Sequence, residues 1–237
     1  MKEGNPAIVA LHGNLGCAGD WEPLRLPNLR AISLWDDAAL SLPAFAHKLA
    51  HELSDGLERP LLAGYSLGGR LALHAMAGDP ERWSGAIILS AHPGLGSAEE
   101  KLARRISDSA WARDAREMSW HAFLEKWNRQ AVFGEEAKIT SEQLALESQR
   151  ESIALAFENW SLGQQEDLGE KLRNFAAPVL WITGSEDGKF TTLAAEMQDV
   201  FPKWEHRIVS GVGHRLLSGE GTRLSGMICD FLGRLGW

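Results

Sequence analysis

Short apolar runs recur along the chain and alternate with amphipathic stretches. The runs occupy Ala7–Leu11, Ala31–Leu34, Pro60–Ala63, Ala86–Leu89, Pro178–Thr183 and Ile208–Val209. Runs of this kind are typical of parallel strands that are buried on both faces. The stretches between them have helical spacing and include Leu42–Leu53, Gly69–Ala77 and Leu193–Val200. Strands that alternate with crossover helices predict an α/β protein with a mostly parallel, doubly wound sheet.

The stretch from residue 97 to residue 171 departs from this alternation. It is charged, it contains four tryptophans, and its periodicity is helical, without a convincing strand. Because strand patterns flank it closely, we predict a helical cap (97–171) inserted into a single domain whose core is residues 1–96 and 172–237. Open α/β sheets bind ligands at the carboxyl ends of their strands, so we expect the cap to cover that edge.

Composition and charge restrict the possible partners. The chain has 237 residues, of which 44% are hydrophobic, as in an ordinary folded domain. The net charge is −8 and no dense run of Lys or Arg is present, which argues against a nucleic-acid partner. No apolar stretch reaches the roughly 18 residues of a membrane span. Residues 1–6 are too short and polar for a signal peptide, so we expect a cytoplasmic location.

The strongest chemical signal is the sequence Gly-Tyr-Ser-Leu-Gly at residues 64–68. It follows a predicted strand and precedes a predicted helix, which is the context that Gly-x-Ser-x-Gly requires. A serine on such a tight turn has a strained backbone, and the flanking glycines prevent collisions with the neighbouring strand and helix. The hydroxyl group is then exposed at a helix N-terminus, which favours negative charge. Ser66 is therefore predicted to be reactive.

A candidate oxyanion hole follows from the sequence Leu-His-Gly-Asn-Leu-Gly at residues 11–16, after the first predicted strand. The backbone N–H groups of Asn14 and Leu67 are the natural pair of donors. Preorganised amides suit this role because they need not rearrange as charge develops. His12 lies at a strand end, where we predict a structural role with a hydrogen bond to its own loop.

Two other predicted strand ends supply an acid and a base. Asp187 follows the run that ends at Thr183, and His214 follows the run at residues 208–209. The order Ser, Asp, His is that of α/β hydrolases and of no other serine-triad fold considered. His214 would accept the Ser66 proton, and Asp187 would fix the tautomer of the imidazole. Glu186 is the competing acid. Adjacent carboxylates cannot both point inward from one loop, so only one of the two can contact His214, and we predict that it is Asp187.

The remaining histidines and the cysteines show no spacing that indicates chemistry. The histidines are predicted to be surface or satisfied core residues; they are His47, His51, His74, His92, His121 and His206. No cluster has metal-ligand spacing, so we predict no metal and no cofactor.

Arg70 lies one helical turn after Ser66, so its guanidinium can project toward the predicted pocket. A surface arginine is the alternative interpretation. The helix after such a turn packs against the sheet, however, and a partly buried arginine there favours an anionic ligand.

Several motifs match one family across nearly the whole chain. They include Gly-Tyr-Ser-Leu-Gly-Gly-Arg at residues 64–70, His-Pro-Gly-Leu at 92–95 and Gly-Ser-Glu-Asp-Gly-Lys-Phe at 184–190. The predicted cap adds Arg104, Ser107-Asp108, Trp111-Ala112, Trp127 and Val132-Phe133. With these residues the chain resembles the MenH family of menaquinone biosynthesis, the 2-succinyl-6-hydroxy-2,4-cyclohexadiene-1-carboxylate synthases.

The resemblance implies an α/β-hydrolase fold and a lyase reaction. Family members eliminate pyruvate from a small polycarboxylate, 2-succinyl-5-enolpyruvyl-6-hydroxy-3-cyclohexene-1-carboxylate. Ser66 would then act as a base on the carbon next to the succinyl carbonyl, and the Asn14 and Leu67 amides would hold the enolate. The substrate-binding residues implied by the resemblance are Arg70, Arg104, Arg150, Tyr65 and Trp127.

Two positions depart from the family pattern, and two other functions stay open. The family more often has an aromatic residue at the position of Asn14, and the sequence after His214 differs from its usual continuation. A serine carboxylesterase or thioesterase would use Ser66 to form an acyl-enzyme, and a binding protein would use the fold without catalysis. Two or three buried cations favour the synthase over an esterase for neutral acyl groups, because unpaired buried charge is costly. The intact triad argues against the binding protein.

Overall fold

Six strands lie in the part of the chain that the computed structural model describes, residues 6–134 and 138–237. They are β1 (Ile8–Leu11), β2 (Leu29–Ile32), β3 (Leu61–Tyr65), β4 (Gly85–Leu89), β5 (Val179–Gly184) and β6 (Trp204–Val209). They form one sheet in the order β2-β1-β3-β4-β5-β6, and every neighbouring pair is parallel. The winding direction reverses between β1 and β3, which confirms the predicted doubly wound sheet. Such a reversal opens a crevice at the carboxyl ends of the strands.

The two edge strands differ most from the predicted runs. β2 begins at Leu29, before the predicted run, and β6 begins at Trp204 rather than at Ile208. Most residues of both strands are only half-buried. A strand with one solvated side needs no continuous apolar run, so hydrophobicity alone marks such strands poorly.

The helices between the strands include those predicted from periodicity. They are α1 (Leu42–Lys48), α2 (Leu67–Gly78), α3 (Ala98–Glu117), α4 (Trp120–Asn128), α5 (Ser141–Ala145), α6 (Arg150–Asn159), α7 (Gly169–Leu172), α8 (Gly188–Glu196) and α9 (Gly221–Arg234). A π-helical turn extends α1 to Leu53. No helix within the described ranges is both long and apolar enough to cross a membrane.

Each face of the sheet buries its own apolar core, because side chains alternate along every strand. On one face Val9 and Leu11 pack in a cluster with Leu71 of α2. On the other face Ile8 and Ala10 share a cluster with residues of α9. Helices therefore cover both faces, and the carboxyl edge of the sheet is left for the loops that carry the chemistry.

Helices alone occupy the described part of the chain between Ala98 and Leu172. α3 packs against α6, and Trp111 contacts Phe157 in stacked geometry across that contact. The indole Nε1 of Trp160 donates to the carbonyl of Leu40 at 2.8 Å, which ties this segment to the loops near the sheet. Division into a cap of residues 97–171 and a core of residues 1–96 and 172–237 stays a prediction.

Gly68→Ala is expected to destabilise the protein far more than Gly78→Ala, although both glycines lie in α2. A Cβ atom on Gly68 would lie 2.3 Å from the Leu11 carbonyl oxygen and 2.5 Å from that of His12. A Cβ atom on Gly78 would meet no atom within 4 Å. Overpacking costs about 1–3 kcal/mol or more, whereas alanine at an open helical position gains up to about 1 kcal/mol. Urea unfolding measures both changes, and equal effects would contradict the close packing.

Candidate active site

Ser66 stands on a sharp turn between β3 and α2. Its backbone has φ 51° and ψ −107°, a region that non-glycine residues rarely occupy. The turn is held because the Ser66 N–H donates to the Leu89 carbonyl at 2.9 Å. A Cβ atom on Gly64 would lie 2.4 Å from the Gly68 carbonyl oxygen, so this position requires glycine. Strain and close packing together present the serine at the carboxyl edge of the sheet.

Three loops bring Ser66, His214 and Asp187 into hydrogen-bond contact. Ser66 Oγ lies 3.0 Å from His214 Nε2, and His214 Nδ1 lies 2.8 Å from Asp187 Oδ2. The imidazole and the carboxylate are both buried, at 4% and 5% exposure, whereas Glu186 is exposed. A carboxylate only accepts, so Nδ1 carries the proton and Nε2 is left to accept from the serine. The geometry is that of a serine activated by a base.

Two aromatic residues hold the His214 loop in place. The Tyr65 hydroxyl donates to the His214 carbonyl at 3.0 Å, and burial raises the pKa of this phenol, so it remains a donor. The Phe190 ring centroid lies 4.4 Å from that of the imidazole. Contacts to both the backbone and the ring restrict the orientation that proton transfer requires.

A cavity of about 280 Å³ opens beside Ser66. Asn14 and Leu67 are both in its wall. Leu67 is the first residue of α2, so no carbonyl of that helix can accept from its N–H. The described lining residues include three cations, Arg70, Arg104 and Lys189, and no carboxylate. A cavity with this lining is suited to an anion.

Arg70 is buried in that cavity wall, at 8% exposure, and has no carboxylate partner within the described ranges. Its guanidinium donates to the Trp160 carbonyl at 2.7 Å and to Gln165 Oε1 at 3.4 Å. Burial and, to a smaller extent, the nearby charge of Arg104 lower the pKa of Arg70 to about 9, against the opposing effect of Asp108. A buried cation without a carboxylate partner among the described residues is stabilised when an anion binds to it.

Arg104 reaches the same cavity from α3, but its charge is already compensated. Its Nε donates to both carboxylate oxygens of Asp108, each at 2.8 Å. Asp108 is buried and also accepts from the Ser161 hydroxyl at 2.7 Å. The side chain of Arg104 remains 41% exposed, so it is oriented by Asp108 while its remaining N–H groups stay available.

Arg150 does not reach the catalytic cavity, contrary to the role that the resemblance implied. Its guanidinium lies 5.6 Å from the Trp120 ring centroid and 3.6 Å from a Glu147 carboxylate oxygen. It also donates, at 3.4 Å, to the carbonyls of Arg116 and Met118. These contacts place Arg150 among the helices of the predicted cap, where it joins the end of α3 to α6.

A second cavity, of about 380 Å³, adjoins the first. Trp127, Phe133 and Asn14 line both cavities, whereas Tyr65 lines only the second. Arg215 enters the second cavity with its guanidinium 4.5 Å from the Phe133 ring centroid. Arg215, where the sequence begins to depart from the family pattern, therefore lines the second cavity.

Sequence reasoning missed three residues of the site, which are His92, Lys189 and Gln165. His92 was predicted to be a surface or satisfied core residue, yet it lies in the catalytic cavity wall with Lys189. Gln165 bridges Arg70 to the Pro93 carbonyl, to which it donates at 2.7 Å. The motifs at residues 92–95 and 184–190 contained the signal for His92 and Lys189.

Stability is expected to fall as the pH drops from 6.5 to 4, because of His12, His74 and His92. Each has its pKa lowered from 6.5 to about 4, chiefly because burial penalises the imidazolium. Above pH 6.5 each ring is neutral in both states. Between pH 6.5 and 4 the unfolded chain binds protons first, so the free energy of unfolding decreases. The slope is up to about 1.4 kcal/mol per pH unit for each histidine.

Urea unfolding of His74→Leu at pH 7, 6 and 5 measures one of these contributions. His74 Nε2 is buried without a hydrogen-bond partner in the described structure, so leucine leaves no new polar atom unpaired. The slope of the free energy of unfolding against pH should decrease by the contribution of His74. The control is His47→Gln, which removes a histidine from an exposed position. A wild-type slope in His74→Leu would contradict the assignment.

Comparison with known proteins assigns the family. Residues 8–221 match the model of the α/β hydrolase family. The 2-succinyl-6-hydroxy-2,4-cyclohexadiene-1-carboxylate synthase of Pectobacterium atrosepticum is 33% identical over 210 residues, with 81% of each chain covered. The enzyme of the same name from Salmonella typhimurium is 33% identical over 213 residues, with 83% of each covered.

Solved structures agree with the sequence relatives. The structure of MenH from S. aureus superposes with a TM-score of 0.86 at 25% identity and covers 98% of this chain and 95% of its own. A thermophilic esterase from Thermogutta terrifontis has a TM-score of 0.73 at 18% identity, with 98% and 91% covered, and therefore supports the fold alone. This chain belongs to the α/β hydrolase family and, within it, to the 2-succinyl-6-hydroxy-2,4-cyclohexadiene-1-carboxylate synthases.

Proposed function

We propose that this protein is a 2-succinyl-6-hydroxy-2,4-cyclohexadiene-1-carboxylate synthase of menaquinone biosynthesis. Its substrate is then 2-succinyl-5-enolpyruvyl-6-hydroxy-3-cyclohexene-1-carboxylate, and the reaction is elimination of pyruvate. The observation that carries the proposal is the buried Arg70, which has no carboxylate partner among the described residues and lines the same cavity as Ser66. The cytoplasmic location expected from the sequence is part of the proposal.

Ser66 acts as a base in this reaction. Its hydroxyl passes a proton to His214 Nε2, 3.0 Å away, and removes a proton from the carbon next to the succinyl carbonyl. The N–H groups of Asn14 and Leu67 donate to the enolate oxygen. The electron pair then moves into the ring, where it forms a new double bond and shifts the existing one, as the bond from the ring to the enolpyruvyl oxygen breaks. The cyclohexene ring thereby becomes a cyclohexadiene. The departing pyruvate enolate takes up on carbon the proton that His214 holds, which returns the triad to its starting state.

Binding of the substrate uses the cations of the cavity. Arg70 and Lys189 have no carboxylate partner within the described ranges, whereas Arg104 is oriented by Asp108. A polycarboxylate supplies the missing negative charges, and charge-assisted hydrogen bonds to arginine are the strongest available. Trp127 supplies an apolar wall to the same cavity. Tyr65 positions the His214 loop through its hydrogen bond to the backbone.

A serine esterase is the alternative that the triad geometry equally accommodates. The cation-rich cavity favours the synthase, because a neutral acyl group would leave a buried guanidinium without compensation. The deciding experiment assays the purified wild type for pyruvate release from the synthase substrate and for hydrolysis of a neutral p-nitrophenyl ester. Fast pyruvate release with weak ester cleavage supports the proposal. Brisk ester turnover without pyruvate release would leave a serine esterase.

A further inference from the structure

His92 lies in the catalytic cavity although the triad does not use it. It follows β4, is only 7% exposed and shares the cavity wall with Ser66. Its ring contacts Phe190 edge-on, with centroids 6.3 Å apart, and Phe190 in turn packs on His214. One phenyl ring therefore supports both imidazoles.

A hydrogen bond fixes which ring nitrogen of His92 carries the proton. The backbone N–H of Gly94 donates to His92 Nδ1 at 3.2 Å, so Nδ1 accepts and is unprotonated. A neutral ring then has its proton on Nε2. No acceptor for Nε2 is found in the described ranges, and unlike His74 Nε2 it is not a buried orphan. His92 thus offers one N–H donor for which no described residue is an acceptor.

The surroundings of His92 keep it neutral and fixed. Burial lowers its pKa to about 4, and the charges of Lys189, Arg70 and Arg104 act in the same direction against the weaker opposing effect of Glu100. The backbone after β4 is held because Gln165 Nε2 donates to the Pro93 carbonyl at 2.7 Å. The same Gln165 accepts from Arg70, so the loop and the buried cation form one network.

We infer that His92 is a further substrate-binding residue, whose Nε2–H donates a hydrogen bond to an anionic oxygen of the polycarboxylate substrate. The inference rests on the proposed function. A fixed neutral donor adds direction to a cavity in which arginine and lysine already supply the charge. Because the donor is neutral, it needs no proton from solution and stays competent well below neutral pH.

Two substitutions separate this role from a structural one. In His92→Asn the side-chain oxygen can still accept from Gly94 near the Nδ1 position, but the donor is lost. In His92→Gln the amide NH2 lies near the Nε2 position, so the donor is kept. A hydrogen bond to a charged group is stronger than one between neutral groups, so loss of the donor should be measurable. We expect His92→Asn to lower kcat/KM for pyruvate release by about 10- to 100-fold, with His92→Gln near the wild-type value.

Each outcome of this test has a meaning. If His92→Asn keeps the wild-type kcat/KM, whether or not His92→Gln loses activity, His92 only holds the loop and the inference is overturned. If both variants lose activity, ¹⁵N NMR of the wild type decides, with both reaction products added at saturating concentration so that every carboxylate of the substrate is present. A shift of His92 Nε2 with a constant Nδ1 supports the inference, and no shift overturns it. A wild type that releases no pyruvate overturns the proposed function instead, and the inference falls with it.

Discussion

Ser66→Ala is expected to lower kcat for pyruvate release by about 10³-fold or more. General acid–base catalysis contributes about 10²- to 10⁴-fold, and removing the serine of a triad disables its histidine as well. Ser66 Oγ is the side-chain atom that lies 3.0 Å from His214 Nε2, so alanine breaks the proton path to the substrate. KM should change little, because the hydroxyl contributes little to binding. A coupled pyruvate assay at saturating substrate measures the change.

The matched control is Ser109→Ala, on an exposed turn of α3, which should leave kcat unchanged. Intact-mass analysis then separates a base from a nucleophile. The wild type should gain an acetyl adduct from p-nitrophenyl acetate that Ser66→Ala does not gain, and it should gain no adduct from the synthase substrate. Substantial turnover by Ser66→Ala would mean that another group removes the proton.

The triad could be predicted from the sequence because Ser66 and Asp187 follow the apolar central strands β3 and β5, and His214 follows the short apolar run that ends the edge strand β6. Parallel strands end at a common edge, so Ser66, Asp187 and His214, though far apart in the chain, had to approach one another. The glycines of the turn then left Ser66 as the residue that lines the cavity. This part of the site depends on strand order and local backbone geometry, which short motifs record well.

The rest of the cavity depends on how helices pack, which no short motif records. Arg150 has the residue type that the resemblance requires, but the packing of α6 against α3 directs it to the end of α3. Lys189 was missed because periodicity placed the start of its helix at Leu193, whereas α8 begins at Gly188. The first turn of α8 faces the cavity and not the core, so it carries no apolar pattern.

His92 was missed for a related reason. A single histidine after a strand is usually a core residue whose ring nitrogens have hydrogen-bond partners within the protein. His92 fits this description at one nitrogen, because Nδ1 accepts from Gly94. The other half of the ring could be assessed only once the structure placed His92 in the cavity wall. Sequence reasoning thus identified the three residues of the candidate triad, and the folded chain was needed to find the other groups that line the cavity.

Arg70→Met is expected to lower kcat/KM for pyruvate release by about 100-fold or more. Truncating one partner of a buried, hydrogen-bonded charge pair costs about 2–5 kcal/mol, and about 2.7 kcal/mol corresponds to 100-fold. Methionine keeps an apolar stem of similar length, so the main loss is the charge. Hydrolysis of a neutral p-nitrophenyl ester should change little, because that substrate presents no carboxylate to the guanidinium. The exposed Arg113, changed to alanine, should leave both activities at wild-type values.

Stability of the same variant shows whether the loss is functional. Removing Arg70 leaves the Trp160 carbonyl and Gln165 Oε1 without this donor, which is unfavourable, but it also removes a buried charge that has no carboxylate partner among the described residues. These effects oppose each other, so the free energy of unfolding should stay within about 1 kcal/mol of the wild type. Collapse of pyruvate release in a protein of unchanged stability would assign Arg70 to the substrate. Equal loss of pyruvate release and ester hydrolysis, with a much lower unfolding midpoint, would instead make Arg70 a structural residue of α2.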